Sequence, residues 1–366
     1  AGNVTKAREN FQRFIYLFGN DEQALRAGLQ LIQMDLDAGN FDKAVETATR
    51  MTKEHPKDPL VDIVYYKLGV GLAGLKKYRQ AAGVFKTVIN EYPSSKLYTE
   101  SIYGAAASVE NDGDSKEAIQ WYEKLMRDSP SSPLCQDTSS RLGYLYVQSN
   151  DLERACAFYR DLIFNKTNIK INPDGVFWLL QTLLDKGDYL AAANILGILP
   201  QRIPDQDLSH EINFFLGASS YGLKDNAKAF EYYSRSIQSK SDGAYVPQDL
   251  LGMGFALEAM NNFPAAEKNF MDTLRYDSEV KVTMRARFEI ANLRLKAGDV
   301  PGAAKAFMLV AILYDDEKYT PWALYNAGEC FTRLNQFDEA HKAFSELKSH
   351  YPKNEWAEKI PNKENL

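Results

Sequence analysis

The chain has 366 residues, of which 45% are hydrophobic and 25% charged, and its formal net charge is −6 at pH 7. This composition is typical of a folded protein, and the negative balance disfavours non-specific binding to nucleic acid or to anionic membranes. The three cysteines, Cys135, Cys156 and Cys330, have neither the spacing of a metal site nor that of a disulfide framework.

The sequence contains no recognisable catalytic, metal-binding or membrane-spanning motif. The four histidines, His55, His210, His341 and His350, are scattered and have no Cys or His partner at metal spacing. The most apolar stretch, 189–199, is much shorter than the roughly 18 residues that a membrane helix needs. We therefore expect a non-catalytic protein with no cofactor, no metal and no transmembrane segment in this chain.

A column of alanines at intervals of 37 residues runs through the whole chain. Four residues after each alanine stands a second column, which is aromatic in eight of ten cases. A small residue followed one helical turn later by a ring is a helix-packing unit, and a repeat of about 20 to 50 residues predicts a solenoid. The column alanines are Ala7, Ala44, Ala81, Ala118, Ala155, Ala192, Ala229, Ala266, Ala303 and Ala340.

The first predicted element is a single helix in residues 1–19. Ala7 and Phe11 are in register with the second helices of later repeats, so the chain opens halfway through a repeat. Segment 11–18 has apolar residues on more than one side, whereas terminal repeats usually turn a polar face outwards. We expect further repeats upstream in a longer protein, and a mature product that begins at Ala1 would contradict this.

Nine pairs of antiparallel helices are predicted for residues 20–352. Apolar residues recur with helical spacing in both halves of each repeat. Five residues before the column alanine, seven of nine residues are Gly or Asn, as a left-handed end of the first helix favours. The next residue is mostly Asp or Asn, which are good N-caps for the second helix. The nine turn residues are Gly39, Lys76, Gly113, Asn150, Gly187, Lys224, Asn261, Gly298 and Asn335.

Region 164–204 departs from the regular pattern. Ile169 and Ile171 fall in an otherwise polar loop, and the next repeat has Gly197 and Pro200, which should shorten its second helix. This region predicts either a local change of superhelical curvature or a dedicated partner contact.

Residues 353–366 are predicted to form a C-terminal cap or tail. Trp356 would begin another helix, but Pro361 stands where the interior of that helix should run.

These residues resemble the tetratricopeptide repeat. Twelve residues before the column alanine stands a Gly or Ala in seven repeats, which lets two helix backbones approach closely while the ring fills the groove beside them. The usual repeat has about 34 residues, whereas the period here is 37. The resemblance covers nearly the whole chain and implies an all-α fold, with residues 1–366 forming a single right-handed α-solenoid of antiparallel helix pairs. The small residues are Gly69, Ala106, Gly143, Gly217, Gly254, Ala291 and Gly328.

The resemblance also implies a concave groove, lined by the first helices, that binds an extended or helical peptide. We name the residues eighteen before each column alanine the stripe column and those fifteen before it the ring column. Four successive acidic residues of the stripe column predict a basic segment of a partner, although a solvated helix start favoured by the helix dipole is the alternative explanation. The rings of the ring column either pack or anchor the peptide. The predicted groove residues are Glu100, Tyr103, Asp137, Tyr144, Asp174, Phe177, Gln181, Glu211 and Phe214.

Segments 91–98 and 318–325 look like repeats of bacterial envelope proteins, notably outer-membrane assembly lipoproteins and the periplasmic partner of the Tol-Pal system. This implies a protein-binding scaffold in a periplasmic or cell-envelope complex, which a signal peptide in the full-length gene would favour. An accessory or regulatory region of a larger secretion or glycosyltransferase protein is the second alternative, which an attached barrel or catalytic domain would favour. A cytosolic chaperone adaptor is disfavoured, because Phe288 replaces a basic residue that such adaptors use to hold a terminal carboxylate.

Overall fold

The computed structural model describes residues 2–19, 21–203, 208–276 and 278–360. Within these ranges the backbone forms helices and turns and no strand, which confirms the expected all-α fold. The helices are α1 Gly2–Leu17, α2 Glu22–Asp37, α3 Phe41–Glu54, α4 Val61–Gly74, α5 Tyr78–Glu91, α6 Tyr98–Asn111, α7 Ser115–Asp128, α8 Cys135–Gln148, α9 Leu152–Phe164, α10 Pro173–Asp185, α11 Tyr189–Arg202, α12 Ser209–Gly222, α13 Asn226–Ser239, α14 Val246–Ala259, α15 Phe263–Thr273, α16 Val280–Lys296, α17 Val300–Leu313, α18 Tyr319–Arg333, α19 Phe337–His350 and α20 Glu355–Glu358.

The chain divides into two compact units, Ala1–Val176 and Phe177–Leu366. In the first unit α1 packs on α2, and each later helix packs on the one before it as far as α9. In the second unit the same succession of contacts runs from α11 to α19. Contacts between neighbours in sequence are those of a solenoid, so the expected solenoid of helix pairs is confirmed. That residues 1–366 form one superhelix stays a prediction.

A left-handed residue lies in each of the nine turns between a first and a second helix. The residues with positive φ are the nine turn residues predicted from the sequence. Five of them are not glycine, and φ is 58° at Lys76 and 66° at Lys224. The next amide donates back to a carbonyl five residues earlier, as Asp225 N does to the Ser220 oxygen at 2.9 Å. This Schellman arrangement stops the first helix and reverses the chain within two residues.

Aspartate caps the second helices, whereas asparagine does not. Five aspartates accept a hydrogen bond from the amide three residues further on, at 2.9 to 3.3 Å. The expected caps at Asn40 and Asn262 are wrong, since neither side chain accepts a bond from its helix. A neutral amide oxygen is a weaker acceptor than a carboxylate. The capping residues are Asp114, Asp151, Asp188, Asp225 and Asp299.

The column alanines are buried inside the helix pairs. The nine from Ala44 to Ala340 are at most 1% exposed, whereas Ala7 is half-buried. The ring one turn later lies against the small residue of the first helix, and a Cβ added at Gly217 would approach Tyr233 to 2.6 Å. A first helix with a larger residue there would have to move away from its partner.

The irregular segment before α10 is packed against the chain. Ile169 and Ile171 are 4% and 7% exposed. Both atoms of the Gln136 amide bond the backbone of Lys170, at 2.8 and 2.9 Å. The loop is therefore fixed by buried aliphatic side chains and by two hydrogen bonds to a neighbouring repeat.

The expected shortening of α11 is wrong. The helix is fourteen residues long and continues past Pro200, because the Ile203 amide still donates to the Leu199 carbonyl. Proline lacks an amide hydrogen, and two residues before a helix end this removes a single bond.

The described chain ends with α20, which packs on α18 and α19. The predicted interruption at Pro361 lies in segment 361–366, outside the described residues. Among the helices that the structure describes, none combines the length and the apolar character needed to cross a bilayer.

The strained turn at Lys224 allows a test of the solenoid's local energetics. Lys224→Gly should raise the free energy of unfolding by about 0.5 to 1 kcal/mol, because glycine adopts positive φ without a steric clash. The control Lys268→Gly replaces an exposed lysine in the middle of α15 and should lower that free energy by about 1 kcal/mol. Urea denaturation followed by circular dichroism measures both, and a destabilised Lys224→Gly variant would contradict the strain argument.

Candidate binding clefts

In the first unit, two of the predicted groove residues are brought into contact. The Tyr103 hydroxyl donates to the Asp137 carboxylate, and the same oxygen accepts from Arg141 Nε at 2.9 Å. Partial burial works to raise the pKa of Asp137, but these two hydrogen bonds hold it below its ordinary value. Arg141 also reaches Glu110 at 3.1 Å. The negative charge expected to attract a basic partner is thus already balanced at Asp137 by a cation of the same chain.

The other predicted groove residues of the first unit take no part in this contact, and their exposure to solvent differs. Glu100 is half-buried on α6. Asp174 is exposed in the first turn of α10, where its amide donates to the Asn172 side chain at 3.1 Å. Tyr144 on α8 is 58% exposed, so it presents most of its ring to solvent.

In the second unit, the two predicted phenylalanines pack between repeats. Phe177 stacks on Phe215 with ring centres 5.6 Å apart, and Phe214 stacks on Tyr245 at 4.4 Å. Phe214 is 9% exposed, which leaves little of its surface for a ligand. Both rings therefore stabilise the contact between the first helices of successive repeats.

Two glutamates of the stripe column each hold a buried oxygen without a donor. Glu100 Oε2 and Glu211 Oε2 have no hydrogen-bond partner among the described residues. Burial raises the pKa of Tyr66, and the Glu100 charge adds to this effect. Burial and the Glu211 charge act in the same way on Tyr245. A buried acceptor without a donor is unfavourable, so each site would gain from a donor that a partner supplies.

The predicted groove residue Gln181 is exposed on α10 and donates to a neighbour in its own helix at 2.8 Å.

An apolar cleft lies between the first helices of the second unit. It has a volume of about 510 Å³ and is formed by α12, α14, α16 and the start of α18. Apolar and aromatic side chains make up most of its wall, which is usual for a ligand site. We name it the Arg285 cleft, and its residues are Tyr221, Leu251, Phe255, Lys281, Val282, Met284, Arg285, Asp316, Lys318 and Tyr319.

The guanidinium of Arg285 is fixed by contacts from three helices. It lies 5.0 Å from the ring centre of Phe255 and 5.2 Å from that of Tyr319. It pairs with Glu289 at 2.6 Å and donates to the Tyr319 hydroxyl. Its Nε has no hydrogen-bond partner within the described ranges. Arg285 is therefore held in one orientation in the wall of the cleft, and its buried Nε is left unsatisfied within the described residues.

Two lysines give the rim of the cleft a positive charge. Lys281 and Lys318 are exposed, and neither forms an ion pair with a carboxylate that the structure describes. The Asp316 carboxylate accepts from the amides of Lys318 and Tyr319, at 2.9 and 2.8 Å, and so holds the chain at the start of α18. An apolar cleft with a positive rim suits a segment that combines apolar and acidic side chains.

The residues of the Arg285 cleft were not predicted as a site. Arg285 belongs to the stripe column and Leu251 to the ring column, while Phe255 stands eleven residues before its column alanine. The available signal was that the stripe column stops being acidic after Glu211 and becomes basic at Arg285. No sequence pattern shows that Lys281 and Lys318 would form no ion pair with a carboxylate in the ranges that the structure describes.

A buried polar network joins α12, α13 and α14. Ser236 Oγ lies 2.8 Å from His210 Nδ1 and 2.7 Å from Asp249 Oδ2. The Tyr245 amide donates to His210 Nε2 at 3.2 Å, so the neutral ring carries its proton at Nδ1. These are the residue types of a hydrolase triad, but here serine is the middle member and all three side chains are at most 1% exposed. The arrangement therefore links three helices and leaves no access for a substrate.

Models of the tetratricopeptide repeat match four stretches of the chain. The matched residues are 64–95, 138–163, 251–318 and 322–354. The stretch 251–318 includes most of the Arg285 cleft. A comparison with curated proteins found no match.

The network at Asp249 should make the second unit lose stability as the pH rises from about 4 to about 8. Burial raises the pKa of Asp249 to about 8, against an ordinary value of about 4. The folded state therefore holds a proton that the unfolded state releases, and stability falls as the pH rises between these two values, by at most about 1.4 kcal/mol per pH unit. Asp249→Asn cannot ionise and should become more stable relative to the unmodified protein as the pH rises from acid to 8.

The measurement is the denaturant midpoint of both proteins over this pH range. Asp242→Asn, at an exposed aspartate seven residues earlier, is the control. The difference between its denaturant midpoint and that of the unmodified protein should not vary with pH. A constant difference for Asp249→Asn would show that Asp249 does not hold the proton.

Proposed function

Because the chain is a tetratricopeptide repeat protein, we propose that it is a scaffold whose Arg285 cleft binds an apolar and acidic segment of a partner protein. The observation that carries this proposal is the combination of an apolar cleft of about 510 Å³ with the fixed guanidinium of Arg285 in its wall. The unpaired lysines of the rim support it, since they would meet the acidic side chains of the segment. Rings and a fixed arginine at the centre of an interface are the residue types that contribute most to binding.

Charge reversal at the rim tests this proposal without disturbing the core. Lys281→Glu combined with Lys318→Glu should weaken partner binding by about tenfold or more, because both lysines would repel an acidic segment. The partner is identified by crosslinking and affinity purification from the source cells, and the affinity is then measured by calorimetry with the purified partner.

The matched control is Lys240→Glu with Lys268→Glu, at two exposed lysines of the same unit outside the cleft. It changes the net charge by the same amount and should leave the affinity within about twofold. Equal affinity of the rim variant and the control would overturn the proposal.

The acidic stripe of the first unit is a second candidate surface, and here we propose a basic segment as the ligand. The unpartnered Glu100 Oε2 supports it, because a basic side chain would supply the missing donor. The contact of Asp137 with Arg141 weakens the attraction at that position, so Asp174 would contribute more of the charge.

Reversal of the stripe charge tests this second candidate. Asp137→Lys with Asp174→Lys should weaken binding of a basic partner segment by about tenfold without lowering the helix content. Glu46→Lys with Glu153→Lys, at exposed positions of the second helices α3 and α9, is the control. Unchanged affinity after the first double substitution would remove the stripe from consideration.

The cellular setting belongs to the proposal as well. The amino-acid sequences of segments 91–98 and 318–325 support a scaffold in a periplasmic or cell-envelope complex. An accessory region of a larger secretion or glycosyltransferase protein remains the alternative. Recovery of the full-length protein in the cytosolic fraction of its source cells would contradict the envelope setting.

A further inference from the structure

Helix α17 exposes an apolar face that no described element covers. Leu309, Ile312 and Leu313 are 41%, 72% and 50% exposed. Their spacing of three and four residues places them on one side of the helix. The opposite side of the same helix holds Ala303 and Phe307, which are fully buried. The packing of the solenoid therefore does not explain why Leu309, Ile312 and Leu313 are apolar.

The corresponding positions of the other repeats are polar. These positions stand six, nine and ten residues after the column alanine, and in the eight other complete repeats 21 of the 24 residues found there are polar. In α13, for example, they are Arg235, Gln238 and Ser239. The apolar face is thus a property of α17 and not of the repeat, which is the pattern of a dedicated contact surface.

A small cleft beside this face joins it to α15. Met271, Ile290 and Leu309 line the cleft, which has a volume of about 260 Å³. Met271 is 40% exposed, so the apolar surface extends from one second helix to the next. A ridge of apolar side chains from a partner helix could enter the depression between α15 and α17.

Two cations at this cleft are free to meet a partner. Arg287 and Lys305 line it, and neither forms an ion pair with any carboxylate in the part of the chain that the structure describes. Arg287 donates to the Tyr314 hydroxyl at 3.2 Å, which is a neutral partner. Arg294 lines the same cleft but is paired with Glu267 at 2.9 Å. The unpaired positive charge beside the apolar face thus comes from Arg287 and Lys305.

This surface is separate from the Arg285 cleft. Arg285 and Arg287 are two residues apart on α16, and two residues turn an α-helix by about 200°. They therefore point to opposite sides of α16, one towards the first helices and the other towards the second helices. A ligand in one cleft would leave the other accessible.

We propose that the α17 face, defined by Met271, Leu309, Ile312 and Leu313 with the cations Arg287 and Lys305, docks an amphipathic helix of a partner protein whose apolar side is flanked by acidic residues. The apolar side covers the exposed aliphatic groups, and the carboxylates pair with the two cations. An anionic membrane fits less well, because its charges would spread over both sides of Ile312 and meet Glu346 and Asp315, which line the cleft on the other side, whereas one helix can confine its carboxylates to the side of Arg287 and Lys305.

The test uses a display library of helical peptides with randomised surface residues. Peptides are selected on the unmodified protein and counter-selected on Leu309→Asp with Ile312→Asp, two exposed positions whose substitution leaves the core intact. We expect the enriched peptides to repeat apolar residues at helical spacing and to carry Asp or Glu beside them. Their affinity should fall about tenfold or more in the double variant. The affinity of the selected peptides should also lose most of its salt dependence when Arg287 and Lys305 are both changed to glutamine.

The matched control is Gln238→Asp with Ser239→Asp, at corresponding exposed positions of α13. It changes the net charge by the same amount and should bind the selected peptides as tightly as the unmodified protein does. Enriched peptides without acidic residues, or none that distinguish the α17 variant from this control, would overturn the proposal. Sedimentation of the free protein and flotation with vesicles of phosphatidylcholine and phosphatidylglycerol are run in parallel. Self-association or vesicle binding that the α17 variant abolishes would assign the face to a second copy or to a membrane, and would overturn the proposal too.

Discussion

Seven of the nine helix pairs depend on an aromatic ring of the second helix packed against a glycine or alanine of the first helix. Phe270 is fully buried, and a Cβ added at Gly254 would approach its ring to 2.8 Å or less. Ala266, one turn before the ring, is fully buried as well. Burying a phenylalanine contributes about 2 to 3 kcal/mol, and because a solenoid has no central core this contribution recurs repeat by repeat. The spacing of the helices in these pairs follows from this contact.

The turns then decide how the second helix leaves the first. A residue with positive φ and a back-donated amide reverse the chain in two residues, and five of the nine such positions hold Lys or Asn. Asn tolerates the left-handed conformation, whereas Lys76 and Lys224 adopt it because the packed pair on either side holds them there. Packing and turn chemistry thus require the same register, which is why an interval of 37 residues is kept without insertion.

The fold could be predicted from the sequence because its determinants are local and repeated. Alanines at one interval and turn residues five positions before them specify the helix pairs, and both sets of positions have the predicted conformation. The wrong predictions concern individual hydrogen bonds. Pro200 removes a single backbone hydrogen bond, which is not enough to end α11, and the amide oxygens of Asn40 and Asn262 do not cap their helices. Pattern alone cannot weigh one lost hydrogen bond against the packing of a whole helix.

The candidate sites were harder to predict because the pairing of charges depends on which residues the fold brings together. The acidic stripe was visible in the sequence, but the contacts of Asp137 with Tyr103 join residues 34 positions apart, and so do those of Arg285 with Tyr319. Conversely, nothing in the sequence shows that Lys305 would form no ion pair with a carboxylate of the described residues.

Function in such a chain must be sought where residues leave the pattern that packing imposes. On α16 the buried side chains Phe288 and Ala291 satisfy the repeat, and Arg285 and Arg287 are free to differ from repeat to repeat on two other sides. The same holds on α17, where Ala303 and Phe307 are fixed by packing while Leu309 and Ile312 are not. A helix with one buried side has the rest of its circumference left for contacts, so a two-helix repeat can offer separate surfaces on its first and its second helices. Specificity then resides in departures at exposed positions, and these are the positions whose substitution leaves the fold intact.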